Sequence, residues 1–400
     1  MRRVLGIIAI VTMVLTACAD DDGPATEATE DAPATTAATP ASTPTSPATT
    51  AAPTTTTTTT TAAPPVEAEE IELPDDVVSA VNFAPMGPFA AGVTTLEAAD
   101  GLVVEVWYPT TETGDGETYS LGEWSPELVV AILGDRLPEQ LTLAVRDAAP
   151  ASGRFPLAVF SHGFGSFRTQ SAEIATSLAS WGFVVAAPDH TSRGLEALLL
   201  GGVTEGDDVA DLVAARDTVL ASELRAVIAG GQVVAFGHSA GGRASAEAIE
   251  VLGAAGWVGF APGGDVPSAV PATVIAGGAD AIIELDRIEA AWEASTSTDK
   301  RLAVFADAGH QAFSDLCNLV GEPLPDLAAD LGLPLPDEVG LLATDGCLPG
   351  QLIPTQAAPA IEHLTVATFR AALGIGDPVA PFADDLLAEF DDLGLTVVTG

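Results

Sequence analysis

The hexapeptide Gly237-His-Ser-Ala-Gly-Gly242 constrains this chain more than any other stretch. It follows an apolar run at 233–236 and precedes a small-residue, helix-compatible stretch at 243–250. A Gly-x-Ser-x-Gly sequence between a strand and a helix forms a tight turn, which forces its central residue into a strained backbone conformation. The residues around that centre must be small, and Gly237, Ala240 and Gly241 are. Such a turn projects the Ser239 hydroxyl from the carboxyl edge of a parallel sheet, making it a candidate nucleophile. A plain Gly/Ser turn spells the same five letters; the flanking strand and helix separate the two readings.

The 400 residues are 48% hydrophobic, enough for a sizeable core in one large domain or two ordinary ones. A formal net charge of −42 with only 14 Lys and Arg argues against nucleic acid as a partner, because phosphate binding needs basic clusters. The acidic residues are spread along the chain, as in an adaptation for solubility or high salt. Residues 1–18 read as an export signal. Arg2 and Arg3 precede an apolar stretch, 4–15, too short for an ordinary membrane span. Leu15-Thr16-Ala17-Cys18 resembles the lipobox of bacterial lipoproteins. The resemblance implies cleavage before Cys18, lipidation there, and a mature protein anchored outside the cytoplasm on a membrane face. Residues 19–68 are rich in Ala, Thr and Pro and lack apolar periodicity, so the expectation is a disordered tether. Residues 69–400 are left as the folded domain.

Within that domain, 94–96 and 102–108, separated by Asp100-Gly101, predict an antiparallel hairpin. Residues 109–153 read as loop and short helix. Apolar strands are expected at 157–161, 183–187, 233–236, 257–260, 273–276 and 302–305. Helices are expected at 169–181, 209–229, 243–250, 282–294, 359–373 and over 382–393. Strands alternating with helices predict an α/β fold: a mostly parallel central sheet with helices on both faces.

A serine hydroxyl needs a base within hydrogen-bond reach, itself oriented by an acid. On a sheet of this kind the order along the chain is serine, acid, histidine. Five histidines are available. His162 and His190 precede Ser239. His238 sits in the turn itself and suits a packing role. His363 falls inside a helical stretch and reads as a surface or cap residue. His310, just beyond the strand at 302–305, is the expected base. Asp280, beyond the strand at 273–276, is the expected acid, ahead of Asp265 and Asp307. The oxyanion of acyl transfer needs backbone N–H donors aimed at it in advance. The amide of Ala240, after the nucleophile, and that of Phe164, in the loop His162-Gly-Phe-Gly165, are the candidates.

Residues 160–169 and 178–187, the Gly237–Gly242 turn, Gly309-His-Gln-Ala-Phe313 and Val104-Glu-Val-Trp-Tyr-Pro109 together resemble the platelet-activating factor acetylhydrolase (lipoprotein-associated phospholipase A2) family of α/β hydrolases. Bacterial relatives often labelled dienelactone hydrolases share the pattern. The resemblance spans roughly residues 85–375. It implies carboxylic ester hydrolysis through an acyl-enzyme on Ser239, with Asp280, His310 and the Phe164 backbone in supporting roles and no metal or cofactor. A dienelactone hydrolase would use a cysteine nucleophile, so Ser239 argues against that activity. Rival readings are a catalytically inactive surface binding protein on the same fold and a serine acyltransferase. Residues 316–351 have no counterpart in the family and 111–150 are poorly matched to it, and both are expected to wall the acyl pocket. Acyl length, the alcohol and oligomeric state stay open. With Cys18 as the lipid site, Cys317 and Cys347 remain as a pair in an exported protein, so a disulfide is expected.

Overall fold

The computed structural model describes residues 68–400 apart from 322, 331 and 333–336. The expected export signal, Cys18 and all of the expected tether except Ala68 lie outside the described residues.

Ten strands form one sheet. In chain order they are β1 (Ala90–Glu97), β2 (Val103–Thr110), β5 (Val145–Arg146), β6 (Phe155–Ser161), β7 (Val184–Pro188), β8 (Ile228–His238), β9 (Ala254–Phe260), β10 (Ala272–Gly277), β11 (Lys300–Phe305) and β12 (Leu395–Thr399). Two short strands, β3 (Thr118–Ser120) and β4 (Glu139–Leu141), pair separately. The order across the sheet is β12-β11-β10-β9-β8-β6-β7-β2-β1-β5. From β7 to β11 every neighbour is parallel, while β1 and β2 form the expected hairpin and β12 runs antiparallel to β11. Strands buried on both faces read as continuous apolar runs, and every residue of β6, β7 and β10 is buried.

The side chains of β8 divide the core. Val234 and Phe236 join Phe260, Phe305, Leu178, Ile361, Leu364 and Phe369 on one face. Val233 and Ala235 join Trp257, Leu212, Ala244 and Ile288 on the other. Helices Ala172–Ser180 and Pro354–Leu373 cover the first face; Asp208–Ala221, Ala240–Glu247 and Leu285–Ala294 cover the second.

Three expectations need correction. The helix expected over 209–229 stops at Ala221. Ser222 turns extended, and its hydroxyl accepts from the Leu224 amide, a local bond that competes with helix continuation. Gly230-Gly231 therefore lies inside β8 rather than closing a helix, with Gly231 at φ 77°. The helix expected from Pro359 begins at Pro354, which takes the first-turn position; Pro359 is accommodated inside. The helix expected over 382–393 is a series of short turns followed by β12, which closes the sheet edge.

Segments 111–150 and 316–351 meet over the carboxyl edge of the sheet. One carries helix Glu127–Leu133 and the other helices Leu324–Asp330 and Asp337–Thr344. Glu139 and Val320 exchange backbone hydrogen bonds, and Leu133 and Leu137 bury against Leu327. Cys317 and Cys347 form the expected disulfide.

Candidate active site

In the order of the sheet, β6 lies beside β8 although β7 comes between them in the chain. The connections leaving these two strands run to opposite sides, which opens a crevice at their carboxyl ends. Ser161 pairs with Gly237 at that edge, so the loop at 162–165 and Ser239 emerge side by side. Ser239 has φ 56° and ψ −120°, a conformation strained for a residue with a Cβ. It persists because the surroundings hold it. The Ser239 amide donates to the Phe260 carbonyl at 2.9 Å, and the Ser239 carbonyl accepts from Gly242 at 2.9 Å and Gly263 at 3.0 Å. A side chain at Gly237 would overlap the Gly241 backbone, and one at Gly241 would overlap Ser161. Glycine is required at both.

Asp280 follows β10 and His310 follows β11, so parallel pairing carries both to the same edge as Ser239. His310 Nδ1 lies 2.8 Å from Asp280 Oδ2, with both side chains fully buried. The other carboxylate oxygen accepts from the amides of Ile282 and Ile283, each at 2.8 Å. A carboxylate accepts only, so Nδ1 carries the proton and Nε2 is left with a lone pair. That Nε2 is buried and has no hydrogen-bond partner among the described residues. His310 and Ser239 line the same cavity. Asp265 and Asp307 take no part in holding the ring.

Further residues support this pair without any signal in the sequence. Asp345 Oδ2 accepts from the amides of Ala281 and His310, each at 2.9 Å, tying the two loops together. No spacing distinguishes Asp345 among 56 acidic residues. His238 does more than the expected packing. Its ring lies 4.6 Å from that of His310, its Nε2 donates to the His310 carbonyl at 3.0 Å, and its Nδ1 accepts from Gln170 at 2.7 Å. Burial, helped by the neighbouring His310, pushes the His238 pKa down to about 3, so it stays neutral. His363 contradicts the surface reading. It is fully buried, accepting from the Phe83 amide at 3.1 Å and donating to the Pro381 carbonyl at 2.7 Å.

Beside Ser239, the amides of Phe164 and Ala240 have no acceptor among the described residues. Beneath Phe164 is a buried polar group: Ser161, His162, His190 and Arg193. Burial and the Arg193 charge push both histidines well below their usual pKa. His190, Asp208 and Asp211 bring ligand-type atoms within 4.8 Å of one another. Those atoms are already engaged: Ser161 at 2.8 Å on His190 Nε2, Arg193 at 2.8 Å on Asp208, and Asp211 at 2.9 Å on His190 Nδ1.

The cavity in front of Ser239 has a volume of about 920 Å³. As expected, segments 111–150 and 316–351 both wall it: Val129 and Leu133 from one, Leu316 and Leu327 from the other, with Leu198 between. No Lys, Arg, Asp or Glu is among its described lining residues.

A family model described as platelet-activating factor acetylhydrolase, isoform II, matches residues 93–198, so segment 111–150, expected to fall outside the family pattern, lies within the matched span. The platelet-activating factor acetylhydrolase of Gallus gallus is 33% identical over 131 residues, 28% of this chain and 30% of that protein. That of Canis lupus familiaris is 40% identical over 126 residues, 28% of each chain. The chain thus spans under a third of the length of these curated relatives. Among solved structures, a ferulic acid esterase from Streptomyces cinnamoneus is similar with a TM-score of 0.56 and 22% identity, over 79% of this chain and 97% of that one. The chain has the α/β-hydrolase fold, and its segment 93–198 is similar to the platelet-activating factor acetylhydrolases.

Proposed function

We propose that this chain is a serine hydrolase of carboxylic esters. The observation that carries the reading is the Asp280–His310 pair, whose bare Nε2 shares a cavity with the strained Ser239. In the proposed cycle Ser239 Oγ attacks the ester carbonyl carbon while its proton passes to His310 Nε2. Asp280 stabilises the resulting imidazolium. The carbonyl oxygen, now anionic, is held by the amides of Phe164 and Ala240. The carbon–oxygen bond to the alcohol breaks, and His310 gives its proton to the leaving oxygen. Water then repeats the sequence on the acyl-enzyme, releasing the acid and restoring Ser239. Similarity to acetylhydrolases over 93–198 supports ester chemistry.

The cavity walls favour an uncharged acyl group, since an ionised one would lose its hydration with no counter-charge in reach. At about 920 Å³ the space far exceeds an acetyl group and sits near the top of the roughly 300–1,000 Å³ range of ligand pockets. Ser239→Ala is expected to lower kcat on p-nitrophenyl butyrate by about 10⁴-fold or more while leaving the melting temperature nearly unchanged. A fluorophosphonate probe should label the parent and not the variant. Retained turnover in Ser239→Ala would refute the reading.

We also propose that Cys18 is lipidated and anchors the catalytic domain outside the cytoplasm, on the strength of the Leu15-Thr-Ala-Cys18 pattern behind an apolar stretch. Cells fed an alkynyl fatty acid should incorporate it into the full chain and not into Cys18→Ala. Equal incorporation would remove the anchor from the proposal.

A further inference from the structure

The geometry points to Arg193 as a positioning residue that aims the Phe164 amide at the reacting carbonyl oxygen; this rests on the ester-hydrolase reading above. A trans peptide is planar, and its C=O and N–H point in opposite directions. Fixing the Gly163 carbonyl therefore fixes the direction of the Phe164 N–H. Two groups that do not line the cavity hold that carbonyl: an Arg193 guanidinium nitrogen and His162 Nδ1, each at 2.8 Å. The same guanidinium nitrogen donates to the His162 carbonyl at 2.7 Å. On either side of Phe164, the Gly163 amide donates to Gln170 Oε1 at 2.6 Å and the Gly165 amide donates to the Arg193 carbonyl at 2.8 Å. Of these three successive amides, only that of Phe164 lacks an acceptor among the described residues, and Phe164 lines the cavity.

Arg193 is itself held in place. Its Nε donates to Asp208 at 2.8 Å, and its remaining nitrogen donates to Ser161 Oγ at 3.2 Å. The proton directions run one way from there. His190 Nδ1 donates to Asp211, so His190 Nε2 accepts from the Ser161 hydroxyl, whose free lone pair accepts from Arg193. The His190 amide donates to His162 Nε2 at 2.9 Å, which leaves Nδ1 of that ring as the donor to Gly163. Ser161, His190 and Asp211 repeat the bonding order of a catalytic triad. Yet Ser161 and His190 are completely buried, so no substrate reaches them. All three guanidinium nitrogens of Arg193 are engaged, and what the group delivers to the cavity edge is one oriented amide. A lysine cannot replace the planar fork that reaches two carbonyls, a carboxylate and a hydroxyl at once.

The test compares Arg193→Lys and Arg193→Gln with Asp208→Asn, which removes the ion-pair partner but leaves both carbonyl contacts. For the Arg193 variants kcat on p-nitrophenyl butyrate should fall about 10- to 100-fold, less than the roughly 10²–10³ seen when an oxyanion donor is deleted outright. KM should stay within about threefold, because the amide acts on the transition state. Affinity for butylboronic acid, which forms a tetrahedral adduct on the nucleophile, should fall by the same factor as kcat. Asp208→Asn should keep most of kcat, because the amide oxygen of asparagine still accepts from Arg193 Nε and both carbonyl contacts remain. Equal losses in Arg193→Lys and Asp208→Asn, or unchanged kcat in a folded Arg193 variant, would overturn the proposal. A measurement on the parent chain needs no variant: the Phe164 amide proton should move downfield when the boronate forms, and an unmoved resonance also overturns it. If Ser239→Ala keeps its turnover, the ester-hydrolase reading falls first; if that variant is dead while Arg193 variants match the parent, only the Arg193 inference falls.

Discussion

Asp315 and Glu362 are buried acids outside the proposed catalytic cycle. Asp315 Oδ2 accepts from Gln140 at 2.8 Å and from the Glu173 amide at 3.0 Å. Burial, with the charge of Glu173 adding to it, pushes the Asp315 pKa up to about 8. Burial and Glu173 push Glu362 up to about 8 as well. In the unfolded chain both would titrate near 4. Between about pH 4 and 8 the native state therefore keeps protons that the unfolded state has released, and stability falls as pH rises through that window. Urea midpoints should drop from pH 5 to pH 9, and Asp315→Asn, uncharged at every pH, should flatten the slope. A midpoint that climbs over this range, or an Asn variant with the parent's slope, would contradict the assignment. The placement of Ser239, Asp280 and His310 at one sheet edge was legible because each follows the end of a strand and the three come in one order along the chain. Asp345, Gln170 and Arg193 were not. The contacts that tie them to the site span 68 residues for Gln170 and His238, 30 for Arg193 and Gly163, and 35 for Asp345 and His310, and no local pattern records such a contact.

At the level of elements, the parallel strands could be read from the sequence because burial on both faces leaves an unbroken apolar run, as in β6 and β10. The failures fall where a short polar side chain or a proline decides an end. Ser222 stops a helix that apolar periodicity would continue, and Pro354 rather than Pro359 starts the long helix that follows. His363 was misplaced for a related reason. Helix Pro354–Leu373 is not amphipathic in its second half: residues 357–358 and 360–370 are all buried. The sheet covers one side, while Phe83, Pro381 and Phe390 meet His363 on the other. A histidine there is satisfied by backbone groups from both flanks, which helical periodicity alone does not reveal. β12 escaped notice because its five residues follow a run of acidic turns and its pairing to β11 spans roughly ninety residues.

Across the whole molecule, the carboxyl edge of the sheet and the cap that segments 111–150 and 316–351 form over it differ in how they are held. Sheet and helices share two continuous cores, whereas the cap rests on small clusters such as Leu133, Leu137 and Leu327. The Cys317–Cys347 disulfide closes the cap over a separation of 30 residues. Such a closure stabilises by roughly 3–4 kcal/mol in the chain-entropy model, and here that acts on local opening of the cap. Both cysteines line the cavity, so loss of the bond should release its outer wall. The base should survive, because His310 is also held by Asp280 and His238. Small and large acyl groups then separate the two effects. An acetyl ester touches little of the wall, while each methylene of a longer chain in an apolar pocket is worth about 1–3 kcal/mol. In Cys317→Ser/Cys347→Ser, kcat/KM for an octanoyl ester should fall by roughly tenfold or more, and for the acetyl ester by less than about threefold. Limited proteolysis should cut the variant within residues 318–346 before the sheet domain. Equal losses on both esters would mean that the disulfide supports His310 itself, and no loss on either would mean that the cap holds its shape without it.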